Sequence, residues 1–236
     1  MNNAQQFRAF GQGALDSLPM VLAAIPFGIL FGVLAPANGI AGWVAVAFSA
    51  LVFAGASQYV AIGLLATGTP AVLIVLTTLV VNLRHLLYAL GMLVPLQHVA
   101  KRSKIGLSFL LTDETYVTFN QRYLSGLSEA DRVPYYLGSG LFMYSNWQVC
   151  TWIGLWAGSA LEGIEQLGLE FAMVTAFLAM MMPMFRHRKN IVSAVLAFTL
   201  AWFTRSWPHK TGIVFSVMVA ALVASQLDRF DPENKS

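Results

Sequence analysis

The run Ser17–Leu83, SLPMVLAAIPFGILFGVLAPANGIAGWVAVAFSALVFAGASQYVAIGLLATGTPAVLIVLTTLVVNL, contains no Asp, Glu, Lys or Arg. A spanning helix needs about 20 predominantly apolar residues, so this run alone leaves room for about three. A second uncharged stretch runs from Val133 to Leu161, and shorter ones cover Phe171–Phe185, Asn190–Thr204 and Thr211–Leu227. Together they predict an all-α, polytopic membrane protein with about six or seven hydrophobic segments. A closed β-barrel would read as ten-residue segments of alternating hydrophobicity, and that alternation is not seen here. Composition agrees: hydrophobic residues make up 57% of the 236 positions and charged ones 11%. A soluble domain usually carries about 25% charged residues, so this chain has too few to cover a water-facing surface.

The net charge of +3 is small and its positive residues sit beside apolar segments, which fits membrane loops rather than a nucleic-acid face. Cys150 is the only cysteine, which excludes an internal disulfide and a cysteine-built metal site. Met1–Gly13 carries one positive charge, Arg8, and Asp16, Pro19 and Pro26 follow. That is a poor signal-peptide core, so this end is expected to be retained. The chain reads as one integral membrane domain over residues 1–236, with loops and short tails.

The expected spans are Ala14–Ala35, Trp43–Ala66, Ala71–Pro95, Tyr135–Leu161, Leu169–Phe185, Ile191–Thr204 and Thr211–Leu227. Ile105–Leu124, apolar in its first third, reads as interfacial or, on balance, partly inserted. Excess Lys/Arg marks cytoplasmic loops. Lys101, Arg102 and Lys104 mark one, and Arg186, Arg188 and Lys189 another; Glu162, Glu165 and Glu170 mark a loop outside. Three full crossings before Lys101 would put Met1 and that loop on opposite sides. Either the N-terminus lies outside or one segment fails to cross. Trp43–Ala66 is the suspect, because Ala54-Gly55-Ala56-Ser57-Gln58 at its centre suits a break between two half-helices. The alternative is a continuous helix whose small residues admit a close neighbour.

Arg84 and His85 fall near the middle of Ala71–Pro95. Asn82 and His85 share one helical face, and Arg84 and Tyr88 another. An intramembrane charge is costly and is a functional-site hypothesis by default. The structural alternative is a buried ion pair with a carboxylate on another helix, such as Asp16. Thr112-Asp113-Glu114 ends the apolar run Leu107–Leu111. Two adjacent acids there suit a proton-binding site in a cavity. The alternative, favoured by the residues alone, is Asp113 capping a helix that begins at Glu114. Pro19 and Pro26 lie on one face and free the carbonyls of Leu15 and Leu22, either to hold a cation or simply to kink the helix. Gly28/Gly32 and Gly154/Gly158 have the spacing of close helix contacts. No ATP-binding G-x-x-x-x-G-K-[ST] loop occurs, and His85, His98, His187 and His209 show no zinc spacing, so no cofactor is expected.

Taken jointly, four motifs resemble the AzlC family, the large subunit of bacterial branched-chain amino-acid exporters. They are Asp16-Ser17-Leu18-Pro19 with Ile25-Pro26 and Phe31-Gly32; Ala54-Gly55-Ala56-Ser57-Gln58-Tyr59-Val60; Asn82-Leu83-Arg84-His85-Leu86-Leu87-Tyr88; and Leu111-Thr112-Asp113-Glu114. From Tyr135 onward the likeness is mainly in hydropathy and in segments such as Ser145-Asn146-Trp147. The resemblance implies a multi-pass protein of the bacterial cytoplasmic (inner) membrane. It implies export of valine, leucine and isoleucine, with methionine as a further candidate, beside a small AzlD-like membrane subunit. It also implies energy from a proton gradient by antiport. On that template Arg84 takes the substrate carboxylate. Asp113 or Glu114, with His85, carries the proton. Ser57, Gln58 and Asn82 are expected at the substrate, Asp16 meets the ammonium or neutralises Arg84, and Pro19, Pro26 and Gly55 mark helix breaks. Competing classes are a permease for another small metabolite, a membrane-embedded acid–base enzyme built on Asp113, Glu114 and His85, and a scaffold for a partner.

Overall fold

A computed structural model describes residues 3–160 and 188–207, with scattered positions between 212 and 223. The described residues form helices and turns: α1 (Asn3–Asp16), α2 (Leu18–Ala37), α3 (Gly42–Val52), α4 (Gly55–Ala66), α5 (Ala71–Met92), α6 (Lys101–Ser108), α7 (Asp113–Leu124), α8 (Glu129–Ala160) and α9 (Arg188–Phe203). The expected span Leu169–Phe185, most of Thr211–Leu227, and the loop markers Glu162, Glu165, Glu170 and Arg186 lie outside the described residues.

The spine is the contact of α1 and α2 with α8, and backbone sets its closeness. A Cβ on Gly13 would fall on the Tyr135 carbonyl, and one on Gly138 on the Phe10 carbonyl. Further along, Gly32 meets the Thr151 carbonyl and Gly154 the Ile29 carbonyl. The pairings advance together in number, so α1–α2 runs parallel to α8. Small residues allow this approach where no water is available to drive apolar burial. Gly28, Gly32 and Gly154 were legible as contact residues; Gly13 and Gly138 were not. Side-chain hydroxyls add to the seam: Ser17 Oγ donates to Ser139 Oγ at 2.5 Å. Where α1 gives way to α2 the interruption is slight, since Ser17 N–H still reaches the Gly13 carbonyl. Pro19 sits in the first turn of α2, where its missing N–H costs little. The expectation of a break at Pro26 is corrected: α2 continues through it.

The N-terminus, the chain after α5 and the start of α8 gather at one end of the bundle. Gln5 Nε2 donates to Asp131, and Arg132 Nη1 donates to the Pro95 carbonyl at 3.0 Å. From the opposite end α3 enters alongside α8. Gly42 lies at Leu155, Ser49 Oγ pairs with Thr151 Oγ1 at 2.9 Å, and the Phe53 ring meets Tyr144 edge-on at 4.9 Å. There the helix stops. Phe53 adopts φ 40°, ψ 47°, and is the one non-glycine residue with positive φ among those described. Helix α4 then returns toward the end it came from, because α5 starts there and finishes at the N-terminal end. Trp43–Ala66 is thus a hairpin of two half-helices with its tip inside the bundle. Its broken backbone is compensated from α8: Tyr144 Oη donates to the Ala50 carbonyl and Gln148 Nε2 to the Ser49 carbonyl, both at 3.1 Å.

Ile105–Leu124 is a second hairpin, entering from the N-terminal end. Tyr136 Oη donates to the Leu107 carbonyl, the chain turns at Phe109–Thr112, and α7 returns past Tyr135 and Tyr136. The two tips touch through Phe53 and Phe109, whose ring centroids are 6.1 Å apart. The halves also match in register. α4 and α7 are each 12 residues long. One constant spacing relates Gly55, Gly68 and Ala71 of the first half to Asp113, Gly126 and Glu129 of the second; Gly68 and Gly126 both have positive φ, 67° and 93°. The expected count of six or seven hydrophobic segments is not confirmed by the described residues, because the expected spans Leu169–Phe185 and most of Thr211–Leu227 lie outside them. By length and composition, Leu18–Ala37 and Ala71–Met92 among the described helices suffice to cross a bilayer. The segments of the two hairpins are each too short.

Gly154→Leu, whose side chain has no flexible neighbour to displace at the Ile29 carbonyl, should lower the unfolding temperature in detergent strongly, an overpacking cost of about 1–3 kcal/mol or more. Gly11→Ala, with open space at its Cβ, should leave that temperature unchanged or raise it slightly.

Candidate functional site

Helix α5 presents Arg84 and Tyr88 one turn apart, and both reach the same carboxylate on α7. Arg84 Nη1 lies 2.9 Å from Asp113 Oδ2, and Tyr88 Oη donates to Asp113 Oδ1 at 2.5 Å. The pair is only partly exposed, at 26% for Arg84 and 35% for Asp113. Tyr88 in turn stacks on Tyr116 of α7, with centroids 4.7 Å apart. Two residues before Arg84 on α5, Asn82 Oδ1 accepts from Ser57 Oγ of α4 at 2.6 Å. One helix is therefore stapled to both hairpins by polar contacts.

The start of α7 explains how Asp113 becomes free to do this. Thr112 has extended backbone and its Oγ1 accepts from Thr115 N–H at 3.3 Å, so Thr112 is the N-cap. The expectation that Asp113 caps the helix is corrected by one residue. Asp113 and Glu114 occupy the first turn, where the helix dipole favours negative charge, and Asp113 reaches across to Arg84. Helix α4 begins at its tip with Ala54 and no side-chain cap. Its first amide hydrogens form the positive end of a short helix dipole.

Between the tips lies a small cavity of about 40 Å³. Its polar wall is Arg84, His85, Thr112, Asp113 and Glu114; its apolar wall is Ala24, Phe53, Met143 and Trp147, with Ala54, Gly55 and Ala56 contributing the start of α4. His85 Nδ1 stands 3.3 Å from the Asn82 carbonyl, and its ring meets Tyr88 edge-on at 5.9 Å. Arg84 Nε is buried with no partner among the described residues. A donor-rich side thus faces two carboxyl groups, with an apolar surface beside them. Among the described residues no three His, Cys, Asp or Glu side chains converge as for a metal ion.

Of the residues singled out in the sequence, Gly55, Arg84, His85, Asp113 and Glu114 meet at this cavity. Ser57 and Asn82 bond to each other beside it rather than lining it. Gln58 is fully buried outside the lining, with neither amide atom partnered among the described residues. Asp16 is not brought here: Tyr135 Oη donates to its Oδ2 at 2.6 Å, so it does not neutralise Arg84. Pro19 and Pro26 do not line the cavity either. Residues missed by sequence reasoning are Ala24, Phe53, Met143 and Trp147. The last stands in Ser145-Asn146-Trp147, where a lone polar-aromatic cluster in an apolar helix was the available signal.

No solved structure matches the chain. Among sequences, it is 29% identical over 218 residues to the inner membrane protein YgaZ of Escherichia coli (strain K12), covering 90% of this chain and 85% of that one. It is 29% identical to an uncharacterized membrane protein of Helicobacter pylori (strain ATCC 700392 / 26695), covering 94% and 97%. It is 25% identical to the branched-chain amino acid transport protein AzlC of Bacillus subtilis (strain 168), covering 85% and 78%. The family model described as AzlC protein matches residues 19–161, which span both hairpins and the cavity between them. The chain is a membrane protein and belongs to the AzlC family.

Proposed function

We propose that this chain is the large subunit of a secondary transporter that exports branched-chain amino acids from the cytoplasm, coupled to protons, together with a small AzlD-like membrane subunit. Valine, leucine and isoleucine are the expected substrates, with methionine a further one. The observation that carries the reading is the Arg84–Asp113–Tyr88 cluster at the meeting point of two hairpin tips, beside an apolar wall. An amino acid is a zwitterion with a side chain, and this wall offers a complement to each part. The guanidinium and the start of α4 suit a carboxylate. Asp113 and Glu114 suit an ammonium, and Phe53, Ala24 and Met143 suit a branched aliphatic group. The name of the Bacillus subtilis relative supports the substrate class.

A cavity of about 40 Å³ holds roughly one water and no amino acid, so this conformation is closed. Substrate enters when a hairpin withdraws. Arg84 then exchanges the Asp113 carboxylate for that of the ligand, and Asp113 takes the ammonium. Each charge keeps a partner throughout, which matters because a charge stripped of its partner inside the bundle is strongly destabilising. The hairpins enter from opposite ends, so withdrawing one opens the cavity to one side and withdrawing the other opens it to the opposite side. Matched halves of inverted orientation with broken helices at the site are a recurring design of secondary transporters. The gathering of Arg8, Lys101, Arg102 and Lys104 at the N-terminal end favours a cytoplasmic location for that end in a bacterial inner membrane. For coupling, one arginine faces two carboxyl groups, so uptake of a single proton brings the empty site to neutrality.

Arg84→Gln should lower valine efflux from preloaded vesicles more than about 100-fold while assembly with the partner persists, since Tyr88 still donates to Asp113 and the loss falls on the ligand carboxylate; retained efflux would remove Arg84 from the substrate site. Glu114→Gln should keep valine–valine exchange and lose efflux driven uphill by a pH gradient, and unchanged gradient-driven efflux would end the proton role of that carboxyl group.

A further inference from the structure

Trp147 lies midway along α8 and is 7% exposed, yet its indole Nε1 has no hydrogen-bond partner among the described residues. Tyrosine and tryptophan usually find a partner for their polar atom when buried. The ring is closely held. A Cβ on Gly55 would stand 2.9 Å from its Cη2, and the ring makes a tilted contact with Phe31, centroids 6.2 Å apart. Glycine at position 55 is therefore what allows the indole to lie against the first turn of α4. A phenylalanine in its place would supply much the same apolar surface without a donor to satisfy.

The unsatisfied donor is not isolated. Trp147 and Arg84 line the same cavity, and Arg84 Nε is also without a partner. Helix α4 opens onto that cavity with no side-chain cap. The cavity is thus walled by two residues with unpartnered donor nitrogens and by an uncapped helix start, while its carboxylate acceptors, Asp113 and Glu114, belong to α7. Such a set calls for a ligand that brings its own acceptor atoms, and a carboxylate has two, each able to take more than one hydrogen bond.

We propose that Trp147 is a substrate-binding residue whose indole N–H donates to the carboxylate of the bound amino acid. The assignment rests on the amino-acid reading of the cavity and adds a residue from α8 to it. It makes the site a junction of three helices: α5 supplies the guanidinium, α7 the carboxyl groups and α8 the neutral donor. Held by Gly55 and Phe31, the indole is preorganised and needs little ordering when substrate arrives.

The test measures binding of valine, and of valinol as its alcohol analogue, to the complete transporter and to its Trp147→Phe variant. Wild type is expected to bind valine. Trp147→Phe should weaken valine about tenfold or more, the scale of a hydrogen bond to a charged group, and weaken valinol much less. If the variant does not fold, benzothienylalanine at 147 keeps the shape of tryptophan without the N–H and should give the same selective loss. Unchanged valine binding would overturn the proposal and mean that a trapped water satisfies the indole. Equal losses for valine and valinol would overturn it in favour of packing alone. Wild type that binds no branched-chain amino acid would instead remove the substrate reading, and this assignment with it.

Discussion

An arginine in the middle of an apolar helix cannot stand without a counter-charge, and that requirement organises the centre of this protein. Arg84 finds Asp113 at 2.9 Å, and Tyr88 one turn along fixes the other oxygen of the same carboxylate. Neither group is stable in hydrocarbon alone. The position of α5 and the position of α7 are therefore one decision. The tip of the second hairpin follows, because Asp113 is available only if Thr112 takes over the capping of α7.

Around that pair, α8 does the supporting work by two different means. Against α1 and α2 it offers backbone carbonyls to glycines, which sets helix spacing without side chains. Against α3 it offers Tyr144 and Gln148 as donors to the carbonyls exposed where the helix stops. A broken helix survives inside a bundle when neighbouring groups satisfy what it leaves open. The strain of Phe53 at φ 40° stands at this junction, with Tyr144 and Phe109 packed on its ring. Sparsely populated backbone of this kind persists where surroundings over-determine it, and it concentrates at working sites.

Much of this was legible in the residues. Loss of charge from Ser17 to Leu83 gave the membrane character, and Ala54–Gln58 offered the interruption of the first hairpin as one of two readings, beside a continuous helix whose small residues admit a close neighbour. The conflict between the positive loop at Lys101–Lys104 and three crossings also resolves once that segment turns back. The second hairpin was obscured because polar residues such as Asn120, Gln121 and Arg122 in α7 resemble an interfacial helix; Arg122 returns to the N-terminal end, near Arg8 and Asp131. The cap was placed one residue late because Thr and Asp are both good caps and backbone geometry decides between them. Asp16 was offered as one partner for Arg84 because sequence gives no depth along a bundle, and its actual partner on α8, Tyr135, is a hydroxyl rather than a charge. Trp147 was out of reach for a further reason: an unsatisfied donor is a property of surroundings, not of a motif.

The constant spacing between the two hairpins bears on vectorial behaviour. Two barriers whose returning helices are equal in length, entering from opposite ends and closing on a common centre, give the fold little intrinsic sense of forward and reverse. In a carrier of that build, net flow is dictated by whichever electrochemical potential the bound ion experiences, and reversing that potential reverses the cargo. Polarity in the cell would then be a property of the energised membrane rather than of this chain alone.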